Sequence, residues 1–135
     1  MPSRVQTFTP PGTPTPIGPY SHISKVGEHI TIGGTAGVDP ATGTLAGPDA
    51  YRQCRQILAS FRVMLQSVDS DLDHVTHMNI FLLDMSDFDD VNRAYVEAMG
   101  DPPHRPARTT IGVASLPKPG AVITMSLTAV TRSHV

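Results

Sequence analysis

One amphipathic stripe constrains this chain more than any other feature. Between residues 49 and 68, Ala50, Cys54, Ile57, Leu58, Phe61, Met64, Leu65 and Val68 recur at i, i+3, i+4 and i+7. That is the spacing of one buried face of a helix. Arg52, Gln53, Arg55, Gln56, Arg62 and Gln66 fall mostly on the wet side. Cys54 lies on the stripe and reads as a small core residue rather than a reactive thiol. A helix with one greasy side needs a surface to cover, and the segments around it read as strands.

Residues 5–8 read as a short strand, followed by the Pro10-Pro11-Gly12-Thr13-Pro14-Thr15-Pro16 run. Proline removes a backbone donor and fixes φ, so this run is an extended loop. A hairpin follows, with strands over 22–26 and 29–33 around a Gly27-Glu28 turn. Gly33-Gly34 is expected to end the second strand, where the backbone bends or admits something close. Asp39-Pro40-Ala41-Thr42-Gly43 is turn chemistry.

After the long helix, residues 75–83 alternate as a strand. Val75, His77, Asn79, Phe81 and Leu83 share one face, and Thr76, Met78, Ile80 and Leu82 the other. Both faces turn apolar towards the end, which suits a strand covered on both sides. Ser86-Asp87-Phe88-Asp89 resembles a capping box for a second helix carrying Phe88, Val91, Tyr95 and Met99. Gly100-Asp101-Pro102-Pro103 stops that helix. Strands over 107–114 and 121–131 complete the chain. The expected fold is α+β: a mixed sheet with two helices on one face, its other face apolar and covered by self-association.

At 135 residues the chain fits one domain over residues 1–135. Its formal charge is only −2, without blocks of like charge, which argues against nucleic acid or a membrane surface as a partner. One cysteine excludes an internal disulfide and fails every zinc spacing. No apolar run approaches the roughly 20 residues of a bilayer span, and no secretory signal is seen. A cytoplasmic protein without metal or cofactor is the expectation.

The run Pro106-Ala107-Arg108-Thr109-Thr110-Ile111-Gly112-Val113 carries the chemistry. Alternation puts Arg108, Thr110 and Gly112 on one face, so a guanidinium sits inside a strand among small neighbours. Its planar fork of donors matches a carboxylate in two-point contact. One reading makes Arg108 the anchor for a small carboxylate-bearing molecule. The other makes it an arginine whose stem covers an apolar edge while its head reaches water.

Ile17-Gly18-Pro19-Tyr20-Ser21, Asp39-Pro40-Ala41-Thr42-Gly43, Asn92 with Tyr95, Pro106-Ala107-Arg108-Thr109 and Leu116-Pro117 occur in one ordered set. Over residues 17–130 this set resembles the RidA/YjgF family of enamine/imine deaminases. The resemblance implies a chorismate-mutase-like subunit and a homotrimer whose three sheets form a central barrel, with clefts between neighbouring subunits. It implies hydrolysis of small 2-imino or enamino acids to 2-oxo acids and ammonia, with no cofactor. By position, Arg108 matches the arginine that clamps the substrate carboxylate, and Tyr20 a tyrosine lining the cleft. Asn92 matches an asparagine on the second helix, in a structural role. Thr110 takes the place of a Cys or small residue beside the arginine. Gly33 and Gly34 line the pocket, Gly33 standing where a serine or similar residue is usual.

The departures bear on activity. Family deaminases carry a glutamate on the last strand that orients the attacking water, and here the register puts Thr124 in its place. Ser126 replaces a second acid, and no Asp or Glu occurs from Gly112 to Val135. Thr35, Ala36 and Gly37 replace a Gln-Ile-Pro type run. A threonine hydroxyl can hold a water, but it cannot take its proton near neutral pH. His104, four residues before Arg108, and His22, just after Tyr20, are candidate substitute bases; surface or loop histidines are the alternative for each.

Three functions remain open: an imine deaminase with Thr124 replacing the glutamate, a divergent enzyme on a small carboxylate in a dedicated pathway, or a non-catalytic carboxylate-binding trimer. RNA cleavage, attached to the family by name, has no basic groove with interleaved aromatics to support it.

Overall fold

The computed structural model describes residues 4–100 and 105–133. In chain order the elements are β1 (Gln6–Phe8), β2 (Ile23–Val26), β3 (His29–Ala36), β4 (Val38–Asp39), β5 (Thr44–Leu45), α1 (Ala50–Gln66), β6 (Val75–Leu82), α2 (Phe88–Met99), β7 (Ala107–Gly112) and β8 (Ile123–Val130). Six strands form one mixed sheet in the order β1-β2-β3-β8-β6-β7. All its pairings are antiparallel except β6 with β7. β4 and β5 form a separate small hairpin around the Asp39–Gly43 turn. There Asp39 Oδ1 accepts from Ala41 N at 2.9 Å, and Gly43 takes a φ of 76°.

The stripe read from the sequence is the core. Cys54, Ile57, Leu58, Phe61, Met64 and Leu65 are fully buried against Ile30, Ile32, Met78, Ile80, Met125 and Leu127 of the sheet. Asp49 caps α1 by accepting from Arg52 N at 3.0 Å. Both helices pack on the same side of the sheet and against each other. Burial pushes the Cys54 thiol up to about 12, against the opposing pull of Arg108, so it stays a protonated core group.

Several expectations need correction. β3 does not end at Gly33-Gly34. It runs on to Ala36, with its pairing to β8 shifting between Ile32 and Thr35. A bulge absorbs the extra residue there, so pairing resumes after it. A second shift, between Val75 and His77, breaks simple alternation, and Val75 joins the buried face. No capping box opens α2. The Asp87 side chain makes no capping bond, and a short 3₁₀ turn over Met85–Asp87, capped by Asp84, leads in instead. Gln53, expected on the wet side, is fully buried.

The uncovered face of the sheet is also more polar than expected. Cross-strand pairs run along it: Thr76 with Thr128 at 2.9 Å, Asn79 with Ser126 at 3.2 Å and His77 with Thr109 at 3.0 Å. Apolar side chains enter it at one end, at Phe81 and Ile111.

Asp71 ties the end of α1 to the end of β8. Its carboxylate accepts from Leu72 N at 2.8 Å, Arg132 at 3.0 Å, Gln66 at 3.1 Å and Arg62 at 3.5 Å. Burial alone would raise its pKa, but the donors from Gln66, Leu72 and Arg62 outweigh burial and hold it below the ordinary carboxylate value. The stability it contributes is therefore present above the unfolded-state pKa and lost as pH falls through the folded-state value. Asp71→Asn is expected to cost about 1–2 kcal/mol at pH 7. Thermal melts of both proteins across pH 7 to 3 should show that difference shrinking with acid; a constant difference would contradict it.

Candidate functional site

The residues singled out in the sequence fall into two groups, on opposite faces of the sheet. Arg108 and Thr110 pair across β6 with Met78 and Ile80, both buried beneath the helices. They therefore project from the helix-covered face, at the edge strand β7. Thr124 pairs with Phe81 and Ala36 and projects from the other face.

The neighbours of Arg108 are not small. Phe88, Asn92 and Tyr95 present one stripe of α2 at i, i+4 and i+7. The guanidinium donates to Asn92 Oδ1 at 2.6 Å. It also lies 5.4 Å from the centre of the Phe88 ring and 5.1 Å from that of Tyr95, both within cation–π range. Among the described residues no carboxylate reaches it. The charge is thus steered by a neutral amide and two rings but not neutralised. Beside it, the buried hydroxyls of Tyr95 and Thr110 have no hydrogen-bond partner among the described residues. Burial raises the Tyr95 pKa, partly opposed by Arg108, so this phenol is a proton donor. A planar cation with spare donors, flanked by unpaired hydroxyls, suits a small anion.

The second group surrounds a cavity of about 60 Å³, lined by Tyr20, His22, Gly34, Thr35, Lys118 and Thr124 among others. Gly33 and Gly34 border open space: a Cβ on either would meet nothing within 4 Å. Gly33 N donates to His22 O at 3.0 Å, and Thr35 Oγ1 donates to Gly33 O at 3.0 Å, which fixes the bulged segment. Tyr20 is 44% exposed, its hydroxyl accepting from Ile17 N at 3.3 Å. None of the described lining residues is an acid.

His22 is neither a surface nor a free loop histidine. It is buried, and its Nε2 is hydrogen-bonded to the carbonyl of Pro14 in the proline-rich arm. The other candidate base, His104, lies outside the described residues. Gln53 is the residue the sequence reading missed. Its amide nitrogen donates to Gly47 O at 2.9 Å and Gly120 O at 3.2 Å, and its oxygen accepts from Val122 N at 3.0 Å. It holds the segment that leads into Thr124. A glutamine at the rim of an apolar stripe gives no local signal of this. Among the described residues no three His, Cys, Asp or Glu side chains come together to hold a metal, and no helix is long and apolar enough to cross a membrane.

An α+β chain with two helices on one face of a mixed sheet, a sheet-edge arginine with no carboxylate partner among the described residues and a small cavity on the other face defines a narrow class. The sequence pattern of the family described as Endoribonuclease L-PSP matches residues 11–131. A RutC family protein of Pyrococcus horikoshii is 37% identical over 105 residues, covering 78% of this chain and 82% of its own length. A 2-iminobutanoate/2-iminopropanoate deaminase of Capra hircus is 35% identical over 109 residues, covering 81% and 78%. The crystal structure of RidA from the Antarctic bacterium Psychrobacter superposes with a TM-score of 0.86 at 31% identity, covering 93% of this chain and 98% of that one. The chain belongs to the RidA/YjgF (L-PSP) family.

Proposed function

We propose that this protein is a cofactor-independent imine deaminase. It hydrolyses small 2-imino or enamino acids to 2-oxo acids and ammonia in the cytoplasm, as one domain assembled into a chorismate-mutase-like homotrimer. The observation that carries the reading is Arg108: a half-buried guanidinium with no carboxylate partner and, next to it, two unpaired hydroxyls, all among the described residues. Arg108 clamps the substrate carboxylate, Asn92 orients the clamp, and Thr110 borders it. Tyr20, Gly33 and Gly34 shape the other wall, and Thr124 holds the attacking water.

Within one copy these two walls face opposite sides of the sheet. The complete site therefore forms between copies, with the Arg108 wall of one against the Tyr20–Thr124 wall of the next. The names of relatives as 2-iminobutanoate/2-iminopropanoate deaminases support the substrate class.

Added to a threonine dehydratase reaction, the purified protein should speed release of 2-oxobutanoate, and light scattering should give the mass of three chains. No acceleration at stoichiometric protein would remove the reading. Thr124→Glu, which places a carboxylate at the water position, should preserve or raise kcat, a positioned acid/base group being worth about 10²–10⁴-fold where no other base acts. A large loss of turnover in that variant would show a pocket shaped for other chemistry.

A further inference from the structure

The water-holding wall contains one group able to act as a base, one of the two histidines that the sequence offers for that role. His22 is 4% exposed. Its Nε2 faces the Pro14 carbonyl, which can only accept, so Nε2 carries the proton. In the neutral ring, Nδ1 then keeps a free lone pair. No described residue donates to Nδ1. The ring lines the cavity that Thr124 and Gly34 also line, set edge-on to Tyr20 at 6.2 Å between centroids. The other titratable side chains on that cavity are those of Tyr20 and Lys118.

We propose that His22 is the general base of this site, doing through Nδ1 what a glutamate does in relatives that keep one. The proposal rests on the imine-deaminase reading above. The substrate enters protonated on its imine nitrogen, and Thr124 Oγ1 positions a water. The water oxygen bonds to the imine carbon as Nδ1 takes one of its protons. The C=N π pair moves onto nitrogen, leaving a neutral carbinolamine and an imidazolium. The Pro14 carbonyl stabilises that cation through Nε2–H. The imidazolium then returns its proton to the amine nitrogen. The C–N pair leaves with ammonia, an oxygen lone pair closes the new C=O, and the hydroxyl proton passes to solvent. One water is consumed, and one 2-oxo acid and one ammonia are formed.

His22→Gln tests this, because a glutamine amide can still donate to Pro14 O but cannot take a proton. In the dehydratase-coupled assay kcat should fall about 10²–10⁴-fold with KM nearly unchanged. Thr124→Glu on top of His22→Gln should recover much of the rate, which a purely structural role for His22 would not allow. Independently of any variant, ¹⁵N-histidine spectra of the wild-type protein should show the Nδ1 signal of His22 moving on addition of 2-oxobutanoate. An active wild type with a His22→Gln variant of similar kcat would overturn the proposal, as would an Nδ1 signal indifferent to 2-oxobutanoate. A wild type without imine hydrolysis would instead overturn the deaminase reading, and the base role with it.

Discussion

Arg108→Ala is expected to lower kcat/KM for imine hydrolysis by about 10²–10³-fold, or about 3–4 kcal/mol of transition-state stabilisation. The size follows from what the side chain holds. The guanidinium is half-buried, donates to Asn92 at 2.6 Å, and has no anionic partner among the described residues. Its remaining donors are available to a substrate carboxylate, and a charge-assisted two-point contact is much stronger than a neutral hydrogen bond. Removing it leaves the substrate carboxylate desolvated and unpaired. Arg108→Lys should fall in between, because an ammonium keeps the charge but not the planar fork. The fold should lose only about 1–2 kcal/mol, from the Asn92 bond and the contacts with Phe88 and Tyr95. Coupled-assay kinetics and a thermal melt of each variant separate the two effects. Undiminished turnover in Arg108→Ala would show that the clamp lies elsewhere.

Gln53→Ala is expected to be the most destabilising exchange of a polar side chain. Gln53 is fully buried, and every one of its recorded bonds goes to backbone: Gly47 O, Gly120 O and Val122 N. Truncation strands three main-chain groups, each costing about 1–3 kcal/mol if no water reaches it. A total loss of about 3 kcal/mol corresponds to a fall of about 10 °C in Tm for a chain of this size. Gly37 packs so tightly here that a Cβ would come within 2.5 Å of Gln53 O, so little can shift to fill the gap. Activity should suffer as well, because Val122 leads directly into Ile123 and Thr124. A melt within 2 °C of wild type, a threshold of roughly 0.6 kcal/mol, would show that water replaces the amide.

Much of the fold is legible in the residues. The stripe from Ala50 to Val68 forms α1 and its buried face, and Cys54 is the inert core thiol that its place on the stripe implies. The Gly27-Glu28 turn, the Asp39–Gly43 turn and the Gly100 stop all stand where local chemistry puts them. Boundaries set by longer-range pairing do not. Gly33-Gly34 reads as a strand end because glycine weakens a strand, but β8 pairs on either side of the bulge and carries β3 through to Ala36. The Val75–His77 shift likewise reverses the alternation of Val75. Gln53 reads as solvent-facing because its partners, at Gly47 and Gly120, come from segments outside the helix.

The candidate site divides in the same way. Strand alternation singles out Arg108, the family resemblance adds Asn92, Tyr20 and Thr124, and the lack of any acid after Gly112 marks Thr124 as unusual. His22 gains weight only when the proline-rich arm folds over it, the Pro14 carbonyl taking one ring nitrogen, and the ring lines the cavity that Thr124 also lines.

By itself, the sequence determined where the helices and main strands lie and, away from the bulges, which side chains share a face, because periods of 3.6 and 2 are properties of local backbone geometry. Only the tertiary structure decided that Arg108 lies beneath α2 while Thr124 looks out from the opposite side of the sheet. Strand order and bulge positions depend on hydrogen bonds between residues far apart in the chain, and no local pattern encodes them.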